Sequence, residues 1–491
     1  MKLRVFLMLI LILFILTACA GSKTEDPYGS AETPQIIDDI STQQPEEEYI
    51  YPDSDYGGID FKILNYTTPW NFYTDIVFES ESGEALDDSI YKRNRTVEEK
   101  FNINIVEVPV DIGQLTSTIN KSIAANDDIY DAVFCSIGSL GSFVVMNAFY
   151  NLDQIPSIQL EKPWWNQNMR EASRIGRNPA TYFAACDINL MSLQSVFCLY
   201  FNENMFADLG LERPYDLVKE GKWTYDALYG YVKVGAQLNG DTQFATNLAS
   251  WDINGSSVFG MATYSNFAPA MIIGGGESFI LKDSDNMPYL TPGSERLTNV
   301  FEKLADMIKN KGEFVDSNVH GDSGFLYTTI FRARRALFIG GEIKEAFNFK
   351  DMDDTFGILP FPKYDEKQDK YHSMQWEGAA VMVILSNRND TEKSGAVMDA
   401  LAYESTKIVT PTFFDLTMTQ KRLRNDESIE MMGVIRDSIY FDIGVAYGWT
   451  GRIRERVPGM LWSGDGAVAT LLEKVAGAVQ KEIDKTMQFF D

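Results

Sequence analysis

The chain has 491 residues and a formal net charge of −27, with 45 % hydrophobic and 13 % aromatic residues, 2 His and 4 Cys. That apolar share is enough for a folded protein of two or three cores, and the acidic surface repels phosphate backbones, so nucleic acid is not an expected partner. Two His and few Cys leave little material for a zinc site or a His-based triad.

The chain opens on Met-Lys-Leu-Arg, followed by an unbroken apolar run, Val5 to Leu16. The run is short for a bilayer span and has the length of a signal-peptide core. It ends in Leu16-Thr17-Ala18-Cys19, which resembles a bacterial lipobox. That resemblance implies cleavage after residue 18, acylation of Cys19 and attachment to the outer face of a bacterial cell membrane. Residues 20–56 hold ten Asp or Glu, one Lys and four Pro. Such a stretch buries too little to fold, so 19–56 is expected to be a lipidated, disordered acidic linker and the body to begin near Gly57.

Phe61–Asn65 reads as a strand leading into a loop with Trp70. Residues 87–101 have helical period, with Ile90, Asn94, Val97 and Phe101 on one face and Asp87-Asp88 at the start. Ile103–Val108 is rich in β-branched residues, 113–125 is helical again, and Ala132–Cys135 is a buried strand running into Ser-Ile-Gly-Ser. This β-α-β-α-β order implies a parallel sheet whose ligands sit beyond the strands' C-terminal ends. Residues 181–201 read as two strands around a turn near Asn189, which would set Cys186 and Cys198 on neighbouring strands. A bridge between them is open, and free buried thiols are the expected state. Thr224 is a helix N-cap, and Asp283–Asn286 reads as a hairpin turn, since it lacks the spacing of a calcium loop. Further helices are expected over 295–311, 392–405 and 427–440, and strands over 356–361 and 379–385. The last helix carries one stripe: Val468, Leu471, Leu472, Val475, Val479, Ile483 and Met487.

No nucleotide loop, zinc motif or nucleophile elbow is present, and His320 and His372 stand isolated. No catalyst and no cofactor is expected. The residues that suit binding are aromatic and small polar ones on loops: Trp70, Ser136, Ser139, Trp251 with Asp252, Glu342 after Gly340-Gly341, and Trp376 with Glu377. Trp164, Trp165 and Trp223 are expected to pack.

Several segments, in order, resemble the bacterial extracellular solute-binding lipoproteins that feed carbohydrate to ABC-type permeases. They are Ser89–Phe101 with Asn102-Ile103, Tyr130–Phe134, Tyr200–Phe206 with Gly210-Leu211, and Trp223–Asp226. Downstream follow Phe356–Tyr364, Ala402–Ser405 with Pro411, and Lys421–Ser428. The resemblance implies a two-lobed α/β fold of the type II periplasmic-binding-protein kind. Lobe one would be 57–195 plus 360–408, and lobe two 197–357 plus 411–491. It also implies a carbohydrate in the cleft, hinge closure around it, a permease partner and a monomer. The alternatives are a ligand sensor for a membrane receptor and an exported polysaccharide-acting enzyme. The loop residues above are placed in the cleft by loop position.

Overall fold

The computed structural model describes residues 48–244, 255–291, 293–310, 312–317, 326–419 and 426–490. The apolar run at 5–16, Cys19, Trp251, Asp252 and His320 lie outside them.

Strands are numbered in chain order. β1 (Ile59–Thr67) pairs in parallel with both β2 (Ile103–Asp111) and β3 (Ala132–Ser136). Between β1 and β2 the helix Ala85–Phe101 buries Leu86, Ile90, Val97 and Phe101. Asp87 and Asp88 oppose its N-terminal dipole, and Asn102 ends it in the left-handed region at φ 50°. Between β2 and β3 the helix Ile112–Ala125 is capped by Asp111, whose carboxylate accepts from Gly113 N at 2.8 Å. β12 (Ala380–Val383) closes this sheet antiparallel to β3, giving the order β12-β3-β1-β2. The buried Asp131 fastens the two neighbours: it accepts from Lys62 N (2.7 Å) and forms ion pairs with Arg388 (2.6 Å) and Lys393 (3.1 Å).

The second sheet has the order β10-β4-β9-β5-β8. β4 (Phe197–Asn202) is antiparallel to β9 (Ala336–Glu342) and β10 (Phe356–Leu359). β5 (Phe259–Thr263) is parallel to β9 and to β8 (Phe314–Asp316). Thr224 caps the helix Tyr225–Gly235 that packs on β5. Strands β6 (Ile280–Lys282) and β7 (Pro288–Leu290) form the expected hairpin, with Asp283 accepting from Asp285 N and Met287 N in its turn.

The chain passes between the sheets at adjacent places. Trp376 N donates to Ser195 O at 2.9 Å, and β11 (Ser373–Met374) runs parallel to β13 (Ile439–Tyr440). Past Glu404 the helix Thr391–Glu404 continues through a π-helical turn, Ser405–Val409, into the helix Thr410–Thr419, which packs on Ala85–Phe101. The final helix, Val468–Met487, buries the stripe read from sequence.

Two expectations are corrected. Residues 181–190 are not a strand: Ala184 makes an isolated pairing with Met382, and Met191–Gln194 is a helical turn. The Asn189 side chain accepts from Met191 N and sets that turn. Cys186 and Cys198 are therefore not on neighbouring strands. Cys135, Cys186 and Cys198 are all free and buried, and burial pushes the Cys186 thiol up to about 12. The body also begins before Gly57. Tyr49 is 5 % exposed, and its ring lies 5.4 Å from Tyr403 and 5.7 Å from Trp164. Tyr51 and Tyr56 pack on Phe101. Three tyrosines give this acidic stretch the apolar surface that the charge count hid.

Trp164 and Trp165 both donate to Asp399, and Trp223 donates to Pro360 O. All three are buried, as read from sequence. Among the described residues no helix is long and apolar enough to cross a membrane.

Candidate functional site

The C-terminal ends of β1, β2 and β3 open on a cavity of about 490 Å³. After β1 comes the loop with Trp70, whose backbone N–H is held by Thr68 Oγ1 at 3.2 Å. After β2 the first turns of the capped helix present Ile112, Leu115 and Thr116. After β3 comes Ser136–Ser139, where Ser136 Oγ donates to Ser139 Oγ (3.1 Å) and Ser139 Oγ to Ser136 O (2.8 Å). Two amides of this loop fasten the crossing segment: Ile137 N donates to Ala379 O at 3.0 Å, and Gly138 N to Glu377 O at 2.8 Å. That places Trp376, Glu377 and Gly378 on the cavity wall.

The opposite wall comes from short helical turns near the C-terminus, with Gly444, Val445, Gly448, Thr450, Gly451 and Arg454. Its approach is close: a Cβ on Gly141 would lie 2.6 Å from the Tyr447 backbone. Arg454 forms an ion pair with Glu377 across the cavity. Thr450 is fully buried, and its Oγ1 has no hydrogen-bond partner among the described residues. Burial raises the nearby Asp442 carboxyl, and Arg454 tempers that rise.

The two indoles meet at the cavity, Trp70 edge to face with Trp376. Lys344, from the second sheet's side, sets Nζ over the Trp376 ring at 4.9 Å from the centroid, and 3.5 Å from Asn71 Oδ1. Lys344 is buried and paired with Glu342, which also accepts from Tyr264 OH. Beside them Glu345 accepts from Tyr327 OH (2.7 Å) and Asn348 Nδ2 (2.6 Å). Burial, and then the neighbouring Glu342 carboxylate, pushes Glu345 up to about 7 against the pull of Lys344.

The structure thus gathers Trp70, Ser136, Ser139, Trp376 and Glu377 into one cavity. Glu342 is not in its lining: it ends β9 opposite Phe197 and reaches the site only through Lys344. Sequence reading missed Arg454 and Thr450. The four-residue turns that carry them have no periodicity, and the glycines around them were the only signal.

Chemically, the lining offers aromatic faces, four hydroxyls and one ion pair. Among its described residues Glu377 is the single carboxylate. Among the described residues no group of three or more His, Cys, Asp or Glu is placed to hold a metal ion. His372 lies elsewhere, stacked on Tyr440 at 5.4 Å, and burial lowers its pKa.

No protein-family profile matches the chain, and no curated protein matches it in sequence. Solved structures do match. UspC of M. tuberculosis superposes with a TM-score of 0.56 at 12 % identity, over 86 % of this chain and 100 % of that one. The maltose-binding protein MalE of Listeria monocytogenes, in complex with maltose, gives 0.54 at 12 % identity, over 88 % and 98 %. The ABC substrate-binding protein Lmo0181 of the same organism, in complex with cycloalternan, gives 0.53 at 11 % identity, over 88 % and 99 %. Two such neighbours are ABC substrate- or solute-binding proteins with a bound sugar. The chain has the two-lobed α/β fold that these solute-binding proteins share.

Proposed function

We propose that this protein is a lipid-anchored, extracytoplasmic solute-binding protein that captures a carbohydrate and delivers it to an ABC-type permease. The observation that carries the reading is the convergence of Trp70, Trp376, Ser136, Ser139 and the Glu377–Arg454 pair on one cavity at the C-terminal ends of β1–β3. A sugar ring has apolar C–H faces, which indoles cover, and a rim of hydroxyls, which paired charges and serine hydroxyls hydrogen-bond. The unpartnered Thr450 Oγ1 is a further group that a ligand hydroxyl would satisfy. Neighbours of the same fold crystallised with maltose and cycloalternan support the same ligand class.

In this reading lobe one runs from about Tyr49 to residue 195 and takes in 360–408, and 197–357 plus 411–491 form lobe two. Residues 1–18 are a signal peptide, Cys19 carries the lipid, and the protein works as a monomer that closes on its ligand. The test is a thermal-shift screen of mono- and oligosaccharides, with amino acids and short peptides as controls. A saturable rise in Tm with a sugar, without turnover, is the expected result. A rise with a peptide and none with any sugar overturns the carbohydrate assignment. Metabolic labelling with palmitate, lost in Cys19→Ala, tests the anchor.

A further inference from the structure

We propose, resting on the carbohydrate reading above, that the cavity selects uncharged sugars and rejects the same sugars once they carry a carboxylate or phosphate. The argument is an inventory of the groups that could hold an anion. A helix N-terminus, free loop amides and an arginine are the usual devices. All three border this cavity, and the protein itself engages a principal one of each kind. The helix that begins at Ile112 gives Gly113 N to the carboxylate of its own cap, Asp111, at 2.8 Å. The same cap sets a negative charge at that helix end. The loop after β3 gives Ile137 N and Gly138 N to the carbonyls of Ala379 and Glu377. Arg454, the single cation among the described residues of the lining, is paired with Glu377. Of the further cations beside it, Arg452 is paired with Glu482, and Lys344 is paired with Glu342 and lies against Trp376.

Among the described residues the cavity therefore has no spare cationic side chain, in a chain whose net charge is −27. A ligand carboxylate would lose its water and gain a second carboxylate, Glu377, as its neighbour. A neutral hydroxyl suffers neither penalty. It can donate to Glu377, accept from Arg454, and do either with Thr116, Ser136, Ser139 or Thr450. The pair that repels an anion is thus the pair that orients a polyol.

The experiment takes the best neutral sugar from the screen and compares its affinity, by calorimetry on the purified chain, with that of the same sugar whose primary alcohol has been oxidised to a carboxylate. The acidic form is expected to bind at least about tenfold more weakly. Equal or tighter binding of the acidic form overturns this inference and leaves the carbohydrate reading standing. Binding of neither form, with peptides or amino acids binding instead, overturns both. A second arm uses Glu377→Gln, which frees Arg454. The ratio of neutral to acidic affinity is expected to fall to about threefold or to invert. An unchanged ratio overturns the assignment of the selectivity to this pair. If the variant does not fold, the wild-type ratio alone decides.

Discussion

The indole rings of Trp70 and Trp376 stand perpendicular, 87° apart in plane with centroids separated by 6.0 Å. Trp70 comes from the loop after β1 and is 42 % exposed, whereas Trp376 is half-buried and covered in part by the Lys344 ammonium. The inner ring is the anchored one, so its loss is the larger. Trp376→Ala is expected to weaken the bound sugar by about 2 kcal/mol or more, near thirtyfold, and Trp70→Ala by less. Calorimetric titration of both variants checks this, with far-UV circular dichroism to show that each is folded.

Gly378 decides where the Trp376 ring lies. A Cβ built there falls 2.2 Å from the indole Cζ3, so Gly378→Ala must push the ring off its seat. Overpacking of this kind costs about 1–3 kcal/mol of stability, and the displaced ring should cost ligand affinity as well. Gly433→Ala is the control: it lies in the helix Asp426–Asp437 with nothing within 4 Å of the new methyl. It should leave binding unchanged and raise stability by about 0.5–1 kcal/mol. Urea unfolding and calorimetry on both variants separate the two effects.

Glu345 gives stability a pH dependence. Its carboxyl is raised from 4.5 to about 7 in the fold, by burial first and by Glu342 second. Between those values the folded state holds a proton that the unfolded chain has released. Stability from this group is thus full below pH 4.5, falls as pH rises to 7, and is level beyond, with a slope of at most about 1.4 kcal/mol per pH unit. Glu345→Gln should remove that fall, since its amide does not ionise and the Tyr327 hydroxyl can turn to accept from it. Melting temperatures of the two proteins across pH 4–8 should converge at the acid end and diverge toward neutrality. Parallel curves would contradict this.

Arg93 is buried at the first sheet's edge with only neutral acceptors bonded to it: Asn94 Oδ1, Ile188 O, Ser405 Oγ and Ile76 O. Burial lowers its pKa to about 10. The guanidinium ties the helix Ala85–Phe101 to the loop before it and to the π-helical turn at Ser405. Arg93→Ala takes the guanidinium from these acceptors, of which Ile76 O keeps the Asn94 amide at 2.9 Å, and opens a void. A loss of about 3–5 kcal/mol is expected from urea denaturation.

The first sheet was legible because its residues obey local rules. Helical period, acidic first turns and β-branched runs mark each element from Ile59 to Ser136, and the parallel topology then points to the loops holding Trp70, Ser136 and Ser139. Glu342 was legible as a neighbour of the site but not as a strand residue. Gly340 and Gly341 looked like a loop, whereas the ladder with β4 continues through them to Phe197. Gly340 is in fact crowded by Phe267, at 2.5 Å from a built Cβ, so the glycine there serves packing. Arg454 and Thr450 were illegible for another reason. They reach the cavity through contacts some 300 residues apart in sequence, such as Gly141 against Tyr447, which no local pattern encodes.

The seating of Tyr49 has a mechanical meaning. Its hydroxyl donates to Ala396 O and its ring lies among Trp164, Tyr51 and Tyr403, all on the flank of the first sheet. Any pull applied through the upstream residues is therefore received by that half of the molecule alone. If the protein is anchored and closes on its ligand as proposed above, the first sheet would be the mount and the second the moving half, and opening and closing would proceed without dragging the attachment point.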